Sequence, residues 1–475
     1  MNSPLLMLNL LIIIPFLGMI FVLTAKSDRQ DCRQNCSNTA IFAIATNIAV
    51  IWQIFMSLKK NIAGMQLTEK FHWLKFPDIT LVFAVDNVAL LMILALHIAV
   101  LGALVFIRNE EVPQKALSAF ALLFLSTAAG FFISCDIFSF FIFFEGMLLP
   151  ILMLAGMYGN FKKNVSLSGF FIYNLLGCLV LLVTILYLYN QYGNMTLEEV
   201  RKISPKKAMT VYVWGGLLLA FAARIPIWPF HYFTASISAK AHNPLVFVGL
   251  TVLPLSGLYG LYRFWPRYIP LEISQYFVWI NIVGVVTMLF ISLISFSNPD
   301  SQYRVFAIAT IYEILYLLGI FSQDKAVFAN LGYAMFGFLL VMGGLADVSF
   351  YVYQKEMRYQ STSQGFLCRA KRLSPIYSFL VFSAVGFPVS AMFTNNFLIL
   401  SHLLRSNIHI GAVMALAWII AALALINEML RLKDDNKDCA FGKNEDLPRS
   451  CLVFMAAVIF MLLMSFIRPL WFVIV

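Results

Sequence analysis

Charged residues are scarce in this sequence. Asp, Glu, Lys and Arg make up 12% of its 475 residues, whereas hydrophobic residues make up 61%. Soluble domains carry about 25% charged residues, so this chain has too little charge to cover a water-exposed surface. The composition predicts a membrane protein. It excludes a soluble enzyme, a nucleic-acid-binding module and a receptor with a large extramembrane domain.

The sequence also lacks the motifs that bind common cofactors. It has no glycine-rich phosphate loop, no nucleophile elbow, no zinc-type His/Glu spacing and no cysteine cluster for iron–sulfur. Cys32 and Cys36 form one C-x-x-x-C without a second pair, which does not predict a metal site. The formal charge is +10, but the Lys and Arg residues are scattered in short loops, where they set membrane topology. We therefore expect no bound cofactor, metal or nucleic acid.

Long apolar runs recur along the whole chain, each long enough for the roughly 20 residues that cross a bilayer. A membrane β-barrel would alternate in polarity over about ten residues. These runs do not alternate, so we predict helices. The polar stretches between them are too short to fold as domains, which predicts one all-α polytopic membrane domain over residues 1–475. The fourteen predicted spans are 3–24, 38–58, 80–107, 116–134, 137–158, 167–189, 210–230, 244–263, 274–297, 305–322, 326–352, 376–402, 408–430 and 451–474.

Proline interrupts two spans at comparable places. Pro226 lies in the seventh span and Pro388 in the twelfth, 162 residues later. Proline removes a backbone hydrogen bond and clashes with the preceding turn, so both helices are predicted to break within the membrane. Glu145 and Glu313 show a similar separation of 168 residues. Two five-span halves explain both spacings, and broken helices at corresponding positions indicate an ion path. The alternative is that proline is simply common in membrane helices.

Glu145 is the clearest candidate for chemistry. It lies in FSFFIFFEGMLLPILML with apolar residues on both sides, so its side chain cannot extend to water. A charge at a helix centre costs about 2.5–3.5 kcal/mol, so Glu145 must be protonated, paired or facing an internal cavity. Arg224, in LLLAFAARIPIWPF, is the deep base of the first half and the predicted partner. The alternative is a pair that fixes helix packing and moves no proton.

Further ionisable side chains lie in or near the spans. His231 and His242 follow the break in the seventh span. Because imidazole exchanges protons near neutral pH, they are candidate relays, with plain interfacial histidines as the alternative. Asp347 and Glu428 lie near the ends of predicted spans and are expected to be interfacial. Asp136, between two spans, is predicted to be a solvated helix cap.

Five stretches together resemble a known family. They are FFEGMLLPILMLAGMYG, RIPIWPFH, the SGLYGLYRF that follows about 25 residues later, GFPVSAMFTNNFLIL and FHWLKFPDITLVFAVDNVALLM. In this order and spacing they are similar to the antiporter-like subunits of proton-pumping NADH:ubiquinone oxidoreductase, respiratory complex I, and most similar to the subunit 4 group. The similarity covers spans three to thirteen. The 45 phenylalanines suggest a divergent mitochondrial version.

The resemblance implies a fourteen-helix core with two inverted five-helix repeats, broken helices seven and twelve, and a polar axis at mid-membrane that carries protons. Helices one to three would occupy residues 1–110, the two repeats 115–264 and 273–431, and the last helix 450–475. FMN, iron–sulfur clusters and ubiquinone are expected in other subunits, with none bound by this chain. The expected partners are adjacent antiporter-like subunits of the membrane arm, accessory subunits and phospholipids such as cardiolipin.

Carried over residue by residue, the resemblance keeps one functional position in full. Glu145 matches the family glutamate of span five. Arg224 stands at the span-seven lysine that pairs with it. A guanidinium keeps the positive charge but effectively never deprotonates, so Arg224 can bias Glu145 and cannot pass on a proton.

Three relay positions depart from the family. Leu255 stands at the central lysine of span eight, Asn396 at the charged residue of span twelve, and Tyr303 at a lysine ahead of span ten. Glu313 takes the place of a family histidine. Either protons cross by substitutes such as Glu313, the two histidines and water, or this copy is a structural segment of the membrane arm.

The expected function is proton translocation across the inner mitochondrial membrane, coupled to electron transfer in other subunits. The chain would then act within the enzyme NADH:ubiquinone reductase without holding a redox centre. Two alternatives stay open: a non-pumping structural subunit of the same arm, and a subunit of a multisubunit cation/proton antiporter. The expected localisation is multi-pass in the inner mitochondrial membrane, with the chain encoded in the organelle.

Overall fold

The computed structural model describes most of the chain. The described residues are 7–25, 30–59, 64–75, 78–108, 113–158, 165–202, 208–231, 237, 243–264, 276–298, 300–359, 364–388, 390, 392–434 and 446–466.

The molecule is a bundle of apolar helices with one two-stranded sheet near the start of the chain. In chain order the elements are α1 (Met7–Thr24), α2 (Gln30–Ser57), β1 (Gln66–Lys75), β2 (Asp78–Val85), α3 (Asn87–Ile107), α4 (Gln114–Ile133), α5 (Ile137–Gly146), α6 (Leu148–Tyr158), α7 (Val165–Tyr192), α8 (Leu197–Lys202), α9 (Ala208–Ala222), α10 (Pro244–Phe264), α11 (Phe277–Ser297), α12 (Ser301–Phe321), α13 (Lys325–Tyr359), α14 (Phe366–Arg369), α15 (Leu373–Val385), α16 (Phe393–Ser406), α17 (Ile408–Lys433) and α18 (Arg449–Phe466).

The predicted all-α membrane architecture is confirmed in outline. In the described part of the chain, eleven helices are long and apolar enough to cross a membrane. Three shorter apolar helices lie at the seventh, twelfth and fourteenth predicted spans: Tyr212–Ala222, Leu373–Val385 and Arg449–Ser465. The number of crossings and the division into two inverted repeats stay predictions.

The predicted start of the third span is wrong. Residues 80–85 belong to strand β2, which pairs antiparallel with β1. Asp86 separates strand from helix, because its backbone is extended and its carboxylate accepts the N–H of Ala89 at 2.8 Å, which caps α3. A short apolar run rich in β-branched residues suits a strand as well as a helix. Hydrophobicity alone therefore could not mark this boundary.

Asp136 caps α5 as predicted, but it is buried and not solvated. Its carboxylate accepts the N–H groups of Val82 at 2.6 Å, Phe138 at 3.0 Å and Ser139 at 2.9 Å, and also the Ser139 hydroxyl. Strand β2 covers the cap, and the Cys135 N–H donates to the Val82 carbonyl at 2.8 Å. The hairpin, which was not predicted, is the reason for the burial.

We expect Asp136→Ala to lower the free energy of unfolding by about 1–3 kcal/mol, because it removes an N-cap and leaves the buried Val82 N–H unpaired. Thermal unfolding of the detergent-solubilised protein measures the loss. Asp136→Asn keeps an oxygen that can cap the helix and should lose less. Equal losses for the two variants would contradict the capping role.

Spans seven and twelve are broken, as predicted. Helix α9 ends at Ala222, and residues 223–230 form turns. Helix α15 ends at Val385, where Gly386 takes a φ of 91°, and α16 begins only at Phe393. Prolines in both turns remove the hydrogen bonds that would continue the helices.

A third interruption was not predicted and lies beside the candidate glutamate. Helix α5 ends at Gly146, one residue after Glu145, and α6 begins at Leu148. Pro150 has no N–H to donate to the Gly146 carbonyl, which explains why the helix is interrupted here. The break places Glu145 at a helix end inside the fifth span.

Helices α3 and α13 run in the same direction and pack closely along their length. Val88 faces Gly332, and Ala99 faces Gly343 further along both helices. A Cβ atom on Gly332 would lie 2.5 Å from Cγ1 of Val88, and one on Gly343 would lie 2.9 Å from Cβ of Ala99. Glycine at these positions lets the two backbones approach each other, as is common between membrane helices.

Candidate functional site

Arg224 lies at the break in the seventh span, two residues after the end of α9, and only 2% of its surface is exposed. Its Nη1 donates to the Ser256 hydroxyl at 3.0 Å, and its Nη2 donates to the Phe144 carbonyl at 2.6 Å. The guanidinium carbon is 3.3 Å from the centroid of the Phe144 ring. Neutral acceptors and an aromatic face therefore hold a permanent positive charge inside the membrane segments.

Glu145 follows Phe144 directly and interacts electrostatically with Arg224. The structure brings the predicted partners together, but in the described residues no direct ion pair joins them, and Oε1 of Glu145 is buried without a hydrogen-bond partner. Cys178 of α7 contacts both. Its Sγ is 3.7 Å from Nη2 of Arg224, and its thiol interacts with the Glu145 carboxylate. The Cys178 thiol therefore interacts with both Glu145 and Arg224, which were predicted to pair directly.

Cys178 was missed by the sequence analysis. It appears in the sequence as one small residue in an apolar helix, and buried cysteines are common in such positions. Only the spatial approach of α5, α7 and the turn after α9 reveals its contacts.

Glu313 of α12 is fully buried, and among the described residues neither of its carboxylate oxygens has a hydrogen-bond partner. Its neighbours follow from the packing of α12 on α10. Phe306 contacts Phe247 near the start of both helices, with ring centroids 6.2 Å apart. Tyr262, at the end of α10, stacks on Phe328, just beyond the end of α12, at 4.6 Å. The two helices therefore run parallel.

This register places Glu313 beside the middle of α10. Two helical turns beyond Phe306 and Phe247 are Glu313 and Pro254, which therefore lie at the same level and on facing sides. Pro254 has no N–H to donate to the Leu250 carbonyl in the middle of the helix. Glu313, two turns beyond Phe306, therefore lies on the side of α12 that faces α10.

Both candidate histidines follow the break in the seventh span. His231 lies half-buried in the turn after α9, where its ring meets the edge of Phe290 at a centroid distance of 5.8 Å. Its Nδ1 is buried without a hydrogen-bond partner among the described residues. His242 lies outside the described residues. A relay role for either histidine stays a prediction.

Asp347 and Glu428 are buried inside the protein, and their expected position near the membrane surface stays a prediction. Helix α13 continues to Tyr359 and α17 to Lys433, beyond the predicted span ends at 352 and 430. Both carboxyls therefore lie deeper inside the helices than the hydrophobic pattern indicated. Glu428 forms an ion pair with Arg304 of α12, whereas Asp347 has no hydrogen-bond partner at either oxygen in the described part of the chain.

Asp86 and Arg263 form a second buried ion pair, which the sequence analysis did not single out. Nη1 and Nη2 of Arg263 donate to the two carboxylate oxygens of Asp86 at 2.7 and 2.6 Å, and Nε donates to the Tyr259 hydroxyl at 2.7 Å. That hydroxyl donates to the Phe132 carbonyl at 2.9 Å. Burial raises the pKa of Asp86, but the charge and hydrogen bonds of Arg263, with the Ala89 N–H, outweigh it and hold the pKa below its usual value.

A signal for this pair existed in the sequence. Asp86 lies within FAVDNVALLM and Arg263 within SGLYGLYRF, both quoted above for the resemblance. Each is the one ionisable acid or base of its apolar stretch, which would have suggested that the two pair.

Comparison with known proteins identifies the family. Residues 134–421 match the family described as NADH:quinone oxidoreductase/Mrp antiporter, transmembrane region. The chain belongs to this family. It is 22% identical to NADH-quinone oxidoreductase subunit M of Rickettsia conorii, over 97% of this chain and 95% of the relative. It is 23% identical to NADH-ubiquinone oxidoreductase chain 4 of Marchantia polymorpha, over 87% of this chain and 83% of the relative.

Solved structures share the fold of this family member. A chain of respiratory complex I from Thermus thermophilus superposes with a TM-score of 0.85 at 19% identity, covering 98% of this chain and 96% of that chain. A chain of the Mrp complex from Dietzia sp. superposes with a TM-score of 0.75 at 17% identity, covering 97% and 94%. The resemblance drawn from the motifs is confirmed.

The structure also places the three residues that were aligned with relay positions of the family. Leu255 is fully buried in apolar surroundings and has no group that could carry a proton. Asn395 and Asn396 are buried at the start of α16, and their amides have no hydrogen-bond partner among the described residues. Tyr303 is buried near the start of α12.

The described residues contain no group of three or more His, Cys, Asp or Glu that could hold a metal ion.

Proposed function

We propose that this chain is a core membrane-arm subunit of a proton-pumping NADH:ubiquinone oxidoreductase, and that it translocates protons across the inner mitochondrial membrane. FMN, iron–sulfur clusters and ubiquinone belong to other subunits in this proposal. The partners are neighbouring antiporter-like subunits, accessory subunits and phospholipids such as cardiolipin. Support comes from the family match and from relatives named as subunits of such oxidoreductases.

One observation carries the proton-translocating role. Arg224, Cys178 and Glu145 meet at two helix breaks inside apolar segments. Ionisable groups inside membrane helices are costly and are kept where they serve function. Glu145 has an unsatisfied oxygen that can take up a proton or a water. Arg224 lies beside it and interacts with it electrostatically, so in this proposal Glu145 carries the proton and Arg224 supplies the neighbouring positive charge.

The altered relay positions need a substitute in this proposal. Glu313 is the best placed, because it is fully buried, neither of its oxygens has a hydrogen-bond partner among the described residues, and it lies on the side of α12 that faces α10. Pro254, which has no N–H to donate to the Leu250 carbonyl, lies on the facing helix. His231 and His242 are the further candidates for relays on the side of the seventh-span break.

Glu145→Gln tests the proposal. We expect the variant to assemble normally and to lower the number of protons pumped per NADH oxidised, because a neutral amide cannot carry a proton. Proton uptake and NADH oxidation are measured together in sealed membrane vesicles. Glu198→Gln, the same change at an exposed position of α8, is the control and should pump as the unmodified protein does. Unchanged pumping in Glu145→Gln would remove Glu145 from the path.

A non-pumping structural subunit of the same arm is the second candidate. Leu255 and Asn396 favour it, since a buried leucine and a neutral amide stand where the family has charged relays. In that case neither Glu145→Gln nor Glu313→Gln would change the proton yield, and both would leave the complex intact.

A multisubunit cation/proton antiporter is the third candidate, favoured by the match to the Mrp complex. Mild detergent extraction, a native gel stained for NADH dehydrogenase activity and mass spectrometry of the active band separate it from the others. Stoichiometric presence in that band supports the oxidoreductase. Migration in a small assembly without flavin or iron–sulfur subunits supports the antiporter, which would also respond to sodium or potassium in the absence of NADH.

A further inference from the structure

Asp347 is a buried carboxyl that the proposed function does not use. It lies on α13, has no exposed surface, and neither oxygen has a hydrogen-bond partner in the described residues. An unpaired carboxylate in an apolar interior costs several kcal/mol, whereas the neutral acid costs far less. The group is therefore stable in the membrane only with a proton, or with a cation that the described neighbours do not supply.

The packing around Asp347 leaves space for its carboxyl group. Helix α3 presents Gly102, where a Cβ atom would lie 2.4 Å from Oδ2 of Asp347 and 2.6 Å from Cε1 of Phe454 in α18. Only a glycine leaves room there for the carboxyl between α3, α13 and α18. The titratable group that interacts with it from α18 is the Cys451 thiol. From α15 the neighbour is apolar, since Leu380 packs on Gly344 one turn away.

Two polar side chains follow Asp347 along the same face of α13. Tyr351 lies one turn beyond Asp347, and its hydroxyl donates to the Asp446 carbonyl at 3.1 Å, just before α18 begins. Lys355 lies one turn further, with its Nζ 5.3 Å from the centroid of the Tyr351 ring. A tyrosine and a half-buried lysine thus lie between Asp347 and the end of the helix, on the same face of α13.

We propose that Asp347 is a second proton-binding site of this chain, which exchanges its proton with the face where α18 begins. It is separate from the Glu145 site, because its neighbours are α3, α13, α15 and α18, whereas Glu145 and Arg224 lie among α5, α7, α9 and α10. The site holds one proton as a carboxylic acid and does not depend on whether the chain pumps.

Infrared spectroscopy of the assembled complex tests the site. The C=O stretch of a buried carboxylic acid is distinct from that of an ionised carboxylate, so Asp347→Asn should lose one acid band present in the unmodified protein. Asp324→Asn, which changes an exposed carboxylate just before α13, is the matched control and should leave the band unchanged. On transfer to deuterium oxide the Asp347 band should shift, since the proton exchanges along α13. A spectrum that is the same for Asp347→Asn and the unmodified protein overturns the proposal, and a band that does not shift overturns the exchange route.

A chemical test needs no substitution, so it tests for the protonated Asp347 carboxyl even if Asp347→Asn fails to assemble. Dicyclohexylcarbodiimide reacts with protonated carboxyls in apolar surroundings. The acid proton moves to a carbodiimide nitrogen, the carboxylate oxygen bonds to the central carbon, and rearrangement leaves a stable N-acylurea. Mass spectrometry of the labelled native complex should find the adduct on Asp347. Labelling confined to other carboxyls overturns the proposal.

Discussion

Arg263→Leu should lower the free energy of unfolding by about 3–5 kcal/mol, because it leaves the buried Asp86 carboxylate without its cation. Two of the three Arg263 donors serve Asp86, and the third serves the Tyr259 hydroxyl. The loss should appear as a lower midpoint of thermal unfolding in detergent and as less assembled protein in the membrane. The side chains are 9% and 16% exposed, so water can replace little of what is lost.

Two controls separate the ion pair from the packing of the long side chain. Arg263→Leu combined with Asp86→Asn removes both charges and should be more stable than Arg263→Leu alone. Arg263→Lys keeps the charge but loses the two-pronged geometry, so its loss should be intermediate. If the double variant were no more stable than the single one, the stranded carboxylate would not be the cause.

The pH dependence of this pair has a defined sign. Because the pKa of Asp86 is held below its ordinary value of 3.8, the pair stabilises the fold fully above that value. Its contribution is lost only as the pH falls through the lower pKa of the folded state. In Arg263→Leu the charge that lowers the pKa of Asp86 is gone and burial raises that pKa, so the stability difference between the two proteins should shrink as the pH falls through the raised pKa of the variant.

Arg224→Leu should be the most damaging single change in the candidate site. It removes the donors to the Phe144 carbonyl and the Ser256 hydroxyl together with the charge that acts on Glu145. Breaking a buried charge cluster by removing one member costs about 3–5 kcal/mol. We expect reduced assembly of the complex and, in the protein that assembles, reduced pumping per NADH oxidised.

The double variant Glu145→Gln with Arg224→Leu should assemble better than Arg224→Leu alone, since no carboxylate is then left without its positive neighbour. Arg224→Lys should assemble nearly normally, because it keeps the charge and can still donate to one of the two oxygens. Native gels give the assembled fraction, and vesicle assays give the proton yield. Equal assembly of the single and double variants would show that Glu145 and Arg224 do not act on each other.

The hydrophobic pattern predicted the helices well because lipid leaves the backbone few choices. Pro226 and Pro388 marked the two broken spans, since the loss of an N–H donor has the same effect in any helix. Strand β2 was missed because a short, mostly apolar run fits a strand or a helix equally, and only the capping geometry of Asp86 shows where one ends and the other begins. The end of the helix that carries Asp347 was misplaced because α13 extends past the end of its apolar stretch.

The sequence predicted two residues of the candidate site, but it did not predict their contacts. Glu145 and Arg224 stood out because each interrupts a long apolar run, and the structure does bring them together. Cys178 carries no such signal, since its role depends on where α7 lies. Asp86 and Arg263 do carry such a signal, since each is the one charged residue of its apolar stretch, but they are 177 residues apart and only the structure shows their contact.

Helix α3 has a mechanical consequence for the whole bundle. It packs closely on α13, where Val88 contacts Gly332 and Ala99 contacts Gly343. Asp86, which directly precedes α3, forms the ion pair with Arg263 at the end of α10. A helix outside both predicted repeats therefore ties the end of one to the middle of the other. If α13 moved along its axis, α3 would move with it, and Asp86 would be displaced relative to Arg263. Helix α3 is therefore the element through which a displacement in the second half would reach α10 in the first.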